Sequence, residues 1–203
     1  MKSSFTNRTH NFLLRYYRNV VDTLCTLTTY TLCLIQDAHL GKGCSFMGVP
    51  KFSIGNGGGI FIGRQCKFIS TTTGNHIGLN HKCLLSATPV SENEGCILSI
   101  GNGCGFSGVS IWCFKQITIG NNVRVGANCL IMDGDAHFED PRTSPAKPIV
   151  IEDNVFIGAN CVIRKGVTIG ENAVIGMNSV VTKDIPANCV AVGSPCKVIR
   201  QNG

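Results

Sequence analysis

The stretch from Pro148 to Pro186 reads PIVIEDNVFIGANCVIRKGVTIGENAVIGMNSVVTKDIP. An aliphatic residue returns in it at every sixth position, namely at Ile151, Ile157, Ile163, Ile169, Ile175 and Val181. A helix would place apolar residues about 3.6 positions apart, and a single strand would place them two apart. Six is a multiple of two, but glycines interrupt any strand of ordinary length, at Gly158, Gly166, Gly170 and Gly176. The period therefore predicts very short strands joined by tight corners, which is typical of a parallel β-helix.

The same period divides the chain into three regions. Residues 39–185 are predicted to form the β-helix, with irregular coils at first and a strict register from Ile119 through Val125 to Ile131. The register breaks at HFEDPRTSPAKP, residues 137–148, which contains three prolines and predicts a protruding loop. Residues 186–203 follow the last hexad and are predicted to close the domain.

Residues 1–38 lack the hexad and are predicted to be a helical appendage. Their apolar residues recur three and four apart, at Leu13, Leu14, Tyr17, Val20, Val21 and Leu24. The apolar part is rich in Thr and contains Asp22, so it falls short of the 18 or so unbroken apolar residues that a membrane span needs. We expect the appendage to pack on the β-helix or on a neighbouring subunit. Contact with a membrane surface is the alternative, because basic and aromatic residues flank the apolar part.

Composition narrows the class of protein. The chain has 203 residues, 24 glycines and a net charge of +6. Frequent corners account for the glycine content, and no Gly-X-Y period is present. The basic residues are scattered and are not interleaved with aromatics, so nucleic-acid binding is not expected. The positive excess is interpreted as solvated surface or as help in holding a small anionic ligand.

Twelve cysteines occur, and their placement argues against a disulfide framework. The segment GANC occurs twice and puts Cys129 and Cys161 three residues after a corner glycine and two before an inward aliphatic residue. Such a thiol is expected to pack inward as a small hydrophobe. No CxxC pair is present, so no metal is expected. No signal peptide opens the sequence, and we expect a reducing, cytoplasmic setting.

Three blocks of sequence carry a family resemblance: ITIGNNVRVGANCLIMDGDAH, the hexad stretch quoted above, and VAVGSPCKVIR. From about Ile54 to Arg200 the chain resembles the hexapeptide-repeat acyltransferases, and within them the maltose, galactoside and capsular-sugar O-acetyltransferases. The resemblance implies an all-β, left-handed parallel β-helix, although connections between parallel strands are otherwise right-handed in about 98% of cases. It also implies a homotrimer with active sites between subunits, acetyl-CoA as donor and a saccharide acceptor.

The predicted catalytic base is His137, at the start of the loop that breaks the hexad. The resemblance implies that this histidine deprotonates the acceptor hydroxyl, and a neutral imidazole suits proton removal at cellular pH. Asp135 is predicted to orient or stabilise the imidazole, although Asp133 and Asp135 flank a glycine in a sequence that is also common in turns.

The predicted donor site also comes from the resemblance. Ala159 matches a position whose backbone N–H is a candidate oxyanion donor, and Met177 matches a second backbone contact. The remaining matches lie beside the pantetheine and the phosphates of coenzyme A, at Thr182, Lys183, Lys197 and Arg200. Basic side chains can form ion pairs with the phosphates of coenzyme A. For Lys197 and Arg200 a solvated basic tail is the alternative.

The acceptor side departs from the family pattern. The corresponding stretch contains Ser107, Trp112 and Phe114, and Trp112 is either a stacking surface for a sugar or a core or subunit contact. No nucleophile elbow is present, so direct attack on the thioester and sequential kinetics are expected. His76 and His81 have the spacing of a zinc pair but lack a third ligand, which favours ordinary surface histidines. Transfer to an amino sugar and a non-catalytic scaffold are the alternative functions.

Overall fold

The computed structural model describes residues 2–72, 74–91 and 94–201, with side chains from residue 11 onward. Met1 of the predicted appendage and residues 202–203 of the predicted closing segment lie outside that part. The described chain contains one helix, α1 (Lys2–Ile35), followed by twenty short strands. The structure is mostly β with a helical N-terminus, as the sequence predicts.

The strands form three sheets, here named A, B and C. Sheet A contains β1 (His39–Leu40), β4 (Gly58–Ile62), β7 (Cys96–Ile100), β10 (Gln116–Ile119), β13 (Ile149–Ile151) and β16 (Thr168–Ile169). Sheet B contains β2 (Ser45–Met47), β5 (Lys67–Ile69), β8 (Gly105–Ser107), β11 (Arg124–Val125), β14 (Phe156–Ile157), β17 (Val174–Ile175), β19 (Cys189–Val192) and β20 (Lys197–Gln201). Sheet C contains β3 (Lys51–Ile54), β6 (Leu84–Ala87), β9 (Ser110–Cys113), β12 (Leu130–Met132), β15 (Val162–Arg164) and β18 (Val180–Val181).

Consecutive strands go to consecutive sheets, so the chain coils around a three-sided prism. From β1 to β18 each strand pairs in parallel with the strand three places along the chain, for example β12 with β9 and with β15. A single bridge between Ile169 and Ile185 continues sheet A by one rung. The closing segment adds β19 in parallel to β17, and β20 then returns antiparallel to β19.

The interior of the prism is a column of aliphatic side chains. All six hexad residues from Ile151 to Val181 are fully buried, which confirms that the six-residue period marks inward positions. Aromatic residues replace aliphatic ones in the first coils, where Phe46, Phe68 and Phe106 stack with ring centroids 5.2 and 5.0 Å apart. Identical inward positions stack on each other one coil apart, so stability comes from nearest-neighbour contacts between coils.

The corners depend on residues that tolerate a left-handed backbone. Seven asparagines adopt φ between 55° and 60°, at Asn122, Asn128, Asn154, Asn160, Asn172, Asn178 and Asn188. Asparagine enters this region more readily than other non-glycine residues. Gly158 meets a different demand, because a Cβ there would lie 2.5 Å from the backbone N of Met177 in the next coil. The glycine of the hexad therefore allows adjacent coils to approach closely.

The cysteines line the inner side of the corners, as predicted. Ten of the twelve thiols are buried, and Cys25 and Cys196 are half-buried. The Sγ of Cys129 donates to the carbonyl of Gly158 at 3.0 Å, and that of Cys161 donates to the carbonyl of Gly176 at 3.1 Å. The thiols therefore link each corner to the corner of the next coil.

Helix α1 covers the open N-terminal end of the prism with its last turns. Tyr30 Oη donates to the carbonyl of Gly41 at 2.8 Å and accepts from the N–H of Cys44 at 3.2 Å. Thr26 Oγ1 accepts from the N–H of Phe46 at 3.1 Å. Residues 11–20 are all exposed. No helix in the described residues is long and apolar enough to cross a membrane.

Two edges of the prism carry its long loops. The B–C edge, between sheets B and C, carries the segment 70–83 after β5. The C–A edge, between sheets C and A, carries the segments 88–95 and 133–148. Hydrogen-bonded strands occupy the flat faces of the prism. The long loops, with their more varied side chains, therefore lie at these edges.

Candidate functional site

His137 lies in the segment 133–148 at the C–A edge, and its side chain is exposed. Its backbone carbonyl accepts from the N–H of Asp140 at 3.1 Å and from Thr143 Oγ1 at 3.1 Å. The turn that follows the histidine is thus held by the main chain of His137. The ring has no hydrogen-bond partner in the described part of the chain, so the imidazole is open to an external ligand.

Asp133 is a structural residue of the prism. Its carboxylate is fully buried and accepts from the N–H groups of Phe114 at 2.7 Å, Lys115 at 2.9 Å and Gln116 at 2.7 Å. Those three donors form the corner of the preceding coil. The carboxylate therefore fixes the corner after β9 and does not face the imidazole.

Asp135 anchors the base of the loop. Its carboxylate forms an ion pair with the Lys165 ammonium, lies 3.7 Å from the Arg164 guanidinium and accepts from the N–H of Ser144 at 3.3 Å. Lys165 also donates to the carbonyl of Ser144 at 2.7 Å. The hydrogen bond from Lys165 and the nearby cations lower the pKa of Asp135 below its ordinary value. Within the described residues no hydrogen bond joins Asp135 to the ring of His137.

The Lys165→Met variant is expected to loosen the loop that carries His137. The side chain of Lys165 is only 9% exposed, so its ion pair with Asp135 is less screened than a surface pair. We expect amide exchange in residues 137–148 to rise about tenfold, measured by hydrogen-exchange mass spectrometry. Because the folded-state pKa of Asp135 is depressed, the native anchor holds above the ordinary carboxyl pKa near 4 and is lost as pH falls through the depressed value.

The Arg142→Met variant is the matched control within the same loop. Arg142 pairs with Asp140, but its side chain is 89% exposed, and such pairs contribute little. Equal loosening by both variants would show that Lys165 has no special role as an anchor.

Ala159 and Met177 occupy successive coils at the B–C edge. The N–H of Asn178 donates to the carbonyl of Ala159 at 2.9 Å, which ties the two corners together. The backbone N–H groups of Ala159 and Met177 have no acceptor within the described chain. Met177 is exposed, whereas Ala159 is buried together with Ala127 under Leu79 of the segment 70–83.

The other predicted donor-site residues lie nearer the C-terminal end. Thr182 and Lys183 are exposed and follow β18 at the C–A edge, two coils after the corner of His137. Lys197 and Arg200 lie on β20, the strand that returns along β19, and both are exposed. The structure thus groups the predicted residues at two edges and one terminal strand.

An aromatic cluster borders the loop. The Trp112 ring lies 4.7 Å from the Phe114 ring, and Phe138 meets Phe114 edge-on at 4.8 Å. Trp112 is exposed, on the outer side of sheet C. A hollow of about 320 Å³ lies beside Phe138 and is also lined by Val90, Glu94, Lys115 and residues 143–146. Sequence analysis named Trp112 and Phe114 but gave no reason to join Phe138 to them.

Sheet C separates the two edges. Its strand β12 is three residues long, which separates the B–C edge from the C–A edge by about 10 Å. From β12 to β18 the outer side of this sheet is mostly apolar, and a hollow of about 390 Å³ on it is lined by Leu130, Met132, Val162 and Val180 together with the charged residues Asp135, Arg164 and Lys165. His137 and Ala159 therefore flank the same apolar face from opposite edges of one chain.

His76 and His81 lie in the segment 70–83 at the B–C edge. His81 Nδ1 is 2.8 Å from the carbonyl of Lys82. Among the described residues there is no group of three or more His, Cys, Asp or Glu side chains that could hold a metal ion.

Comparison with known proteins shows a partial match to one family. The hexapeptide repeat of succinyl-transferase matches residues 116–134 and 148–183. Galactoside O-acetyltransferase from Escherichia coli (strain K12) is 48% identical over 89 residues, covering 42% of this chain and 44% of that protein. Over these matched parts the chain resembles the hexapeptide-repeat acyltransferases. It spans about half the length of the curated relatives it matches.

Two solved structures extend the similarity to most of the chain. A galactoside acetyltransferase in complex with coenzyme A is 29% identical, with a TM-score of 0.50, and covers 81% of this chain and 65% of that one. A mutant of AntD, an N-acyltransferase from Bacillus cereus, in complex with dTDP and coenzyme A, has a TM-score of 0.64. It is 20% identical and covers 86% of this chain and 89% of that one. The second likeness shows a shared fold only.

Sequence analysis missed Lys165 and Leu79. Lys165 follows Arg164, and two consecutive cations at a hexad corner are the signal that could have pointed to an acidic partner one coil earlier. Leu79 is an apolar residue within the polar segment 70–83, which is a weaker signal of packing on a corner. Neither pairing could be assigned from the sequence alone. Lys165 pairs with a residue of the segment 133–148, and Leu79 belongs to the segment 70–83, and both of these segments depart from the six-residue period.

Proposed function

We propose that this chain is an acetyl-CoA-dependent O-acetyltransferase that modifies a hydroxyl of a sugar or saccharide precursor, as in polysaccharide biosynthesis. The observation that carries the proposal is the exposed imidazole of His137, presented by an anchored loop at the one place where the strict hexad breaks. The match with galactoside O-acetyltransferase supports it. The proposal includes a left-handed coil and a reducing, cytoplasmic setting, which suits a core lined by free thiols.

The active site is proposed to form between subunits of a homotrimer. Three prisms that turn sheet C towards a common axis bring the C–A edge of one subunit next to the B–C edge of the next. The apolar outer side of sheet C, with Leu130, Met132 and Val162, suits such a contact. In this arrangement His137 of one subunit meets the corner that carries Ala159 and Met177 of its neighbour.

The proposed chemistry is a direct transfer. Nε2 or Nδ1 of His137 takes the proton of the acceptor hydroxyl, and the oxygen attacks the thioester carbonyl carbon. The N–H of Ala159 or Met177 stabilises the oxyanion that develops on the carbonyl oxygen. The C–S bond then breaks, and the imidazolium returns its proton to the departing thiolate. Asp135 acts through its anchor on Lys165, which makes it a positioning residue.

The chain's own thiols are poorly suited to hold the acetyl group. Ten of them are buried and so out of reach of a thioester, and Cys25 and Cys196 are half-buried. We therefore propose sequential kinetics without an acyl-enzyme. Thr182, Lys183, Lys197 and Arg200 are proposed to contact the pantetheine and the phosphates, because they lie beyond Met177 towards the C-terminal end and three of them are cations.

Coenzyme A is expected to raise the melting temperature of the native chain. At 100 times its dissociation constant a ligand stabilises the folded state by about 2.7 kcal/mol, which for a chain of this size corresponds to roughly 5–10 °C. The shift is measured by differential scanning fluorimetry and should shrink in Lys183→Gln. Release of free thiol from acetyl-CoA with a panel of saccharides then identifies the acceptor.

The matched control for Lys183→Gln is Lys51→Gln, which removes an exposed cation from the first coil of sheet C. The absence of any shift with the native chain would contradict the donor assignment and favour a non-catalytic scaffold. Transfer to amino sugars but not to hydroxyl acceptors would replace O-acetylation by N-acetylation.

A further inference from the structure

Helix α1 extends far beyond its support on the prism. At 1.5 Å per residue, its 34 residues span about 51 Å. Among the side chains described from residue 11 onward, those that are buried or hydrogen-bonded to the first coil lie in the last third, at Thr26, Thr29, Tyr30 and Cys33. Most of the stability of a helix in a protein comes from the packing of an apolar face and not from helix propensity. Residues 11–20, whose side chains are all exposed, therefore receive no packing from the prism.

One face of α1 carries an apolar heptad stripe, defined here by seven residues. They follow one another in alternating steps of four and three, at Leu13, Tyr17, Val20, Leu24, Leu27, Thr31 and Leu34. This alternation is the repeat that brings one seam of a helix against another helix in a coiled coil. Thr31 is its one polar member, so the pattern favours helix–helix packing along three heptads.

The stripe faces away from the prism. Residues on the opposite face lie three, four or seven positions apart, at Arg15, Arg18, Asp22, Thr29 and Cys33. Thr29 and Cys33 are buried against the first coil, whereas Leu24 is 58% and Leu27 is 60% exposed. The prism of the same chain therefore cannot cover the stripe.

The exposed area of the stripe is large enough for a stable contact. Together with Tyr16 and Ile35 it exposes on the order of 1,000 Å², taking roughly 150–250 Å² for a whole large side chain. The largest apolar patch of an ordinary monomer is about 300–600 Å², and each side of a standard protein interface buries about 800 Å².

We propose that α1 packs through this stripe against α1 of other copies of the chain, as a coiled coil that adds to the contacts between the prisms. A second copy supplies the same stripe, and cyclic symmetry brings identical faces together. A bilayer is the weaker candidate, because residues 11–35 offer lipid headgroups only two cations, Arg15 and Arg18, and Asp22 lies on the same face.

Cysteine cross-linking of the full chain tests the coiled coil. In a Cys25→Ser, Cys196→Ser background, Val20→Cys places a thiol on the stripe, and Asn19→Cys places one beside it on an exposed flank. Under mild oxidation at low protein concentration, we expect Val20→Cys to give at least tenfold more covalent dimer than Asn19→Cys on a non-reducing gel. Equal or weaker cross-linking of Val20→Cys would overturn the proposal.

Sedimentation with vesicles of phosphatidylcholine and phosphatidylglycerol distinguishes the membrane alternative. We expect the native chain and the Leu24→Ser, Leu27→Ser double variant to stay in the supernatant alike. Vesicle binding by the native chain that is lost in the double variant would assign the stripe to a lipid surface instead. Neither measurement depends on acetyl transfer, so the coiled coil is tested independently of the proposed function.

Discussion

Replacing His137 by alanine is expected to lower kcat by about 10²–10⁴, because the acceptor hydroxyl would lose the group that removes its proton. The measurement is thiol release from acetyl-CoA with a saccharide that the native chain acetylates. The side chain is exposed and has no hydrogen-bond partner in the described residues, so its removal should leave the fold intact. The melting temperature and its shift with coenzyme A should therefore stay within about one degree of the native values.

Glu139→Ala is the control for this variant, since Glu139 is an exposed residue of the same loop. It should change kcat by less than twofold. A loss smaller than threefold in His137→Ala would remove the histidine from the reaction. Comparable losses in both variants would instead assign the effect to the shape of the loop.

Removing the carboxylate of Asp133 is expected to have the largest effect on stability. Alanine there would leave the N–H groups of Phe114, Lys115 and Gln116 without their acceptor at a buried corner. Unsatisfied buried donors cost about 1–3 kcal/mol each, so we expect a loss of roughly 4 kcal/mol and a fall in Tm on the order of 10 °C. Differential scanning calorimetry measures both quantities.

Asp133→Asn should lie between the native chain and Asp133→Ala, because the amide keeps one acceptor oxygen. Asp140→Asn is the surface control and should shift Tm by less than about 2 °C, since the ion pair of Asp140 with Arg142 is exposed. If Asp133→Ala had the same Tm as the native chain, contacts other than those of Asp133 would stabilise the corner after β9.

The two aspartates of MDGDAH show where sequence analysis stops. From sequence alone, either Asp133 or Asp135 could help the histidine, and a plain turn was equally consistent. The structure buries Asp133 under three backbone donors of the previous coil and pairs Asp135 with Lys165 of the next. Both roles depend on residues 17 to 30 positions away, and a non-periodic loop gives no register from which to infer such contacts.

The residues predicted for the donor site show the same division. Ala159 and Met177 sit in the hexad, so their placement at one edge in successive coils follows from the period. The burial of Ala159 under Leu79 does not, because the segment 70–83 has no repeat. The spacing of the stripe on α1, in steps of three and four, can be read from the sequence. Its exposure follows only from the structure, in which the opposite face of the helix packs on the prism.

The amino-acid order alone determined the coil: strand length, inward aliphatic residues, corner glycines and inward thiols. A period of six positions repeats one local structure, and each coil packs mainly on its neighbours. Within the β-helix the local sequence pattern therefore also predicts the tertiary contacts. Tertiary structure alone decided which loop side chains meet, which carboxylate is structural and which face of the helix is left open. Those contacts join segments that have no common period, and only the folded chain brings them within hydrogen-bonding distance.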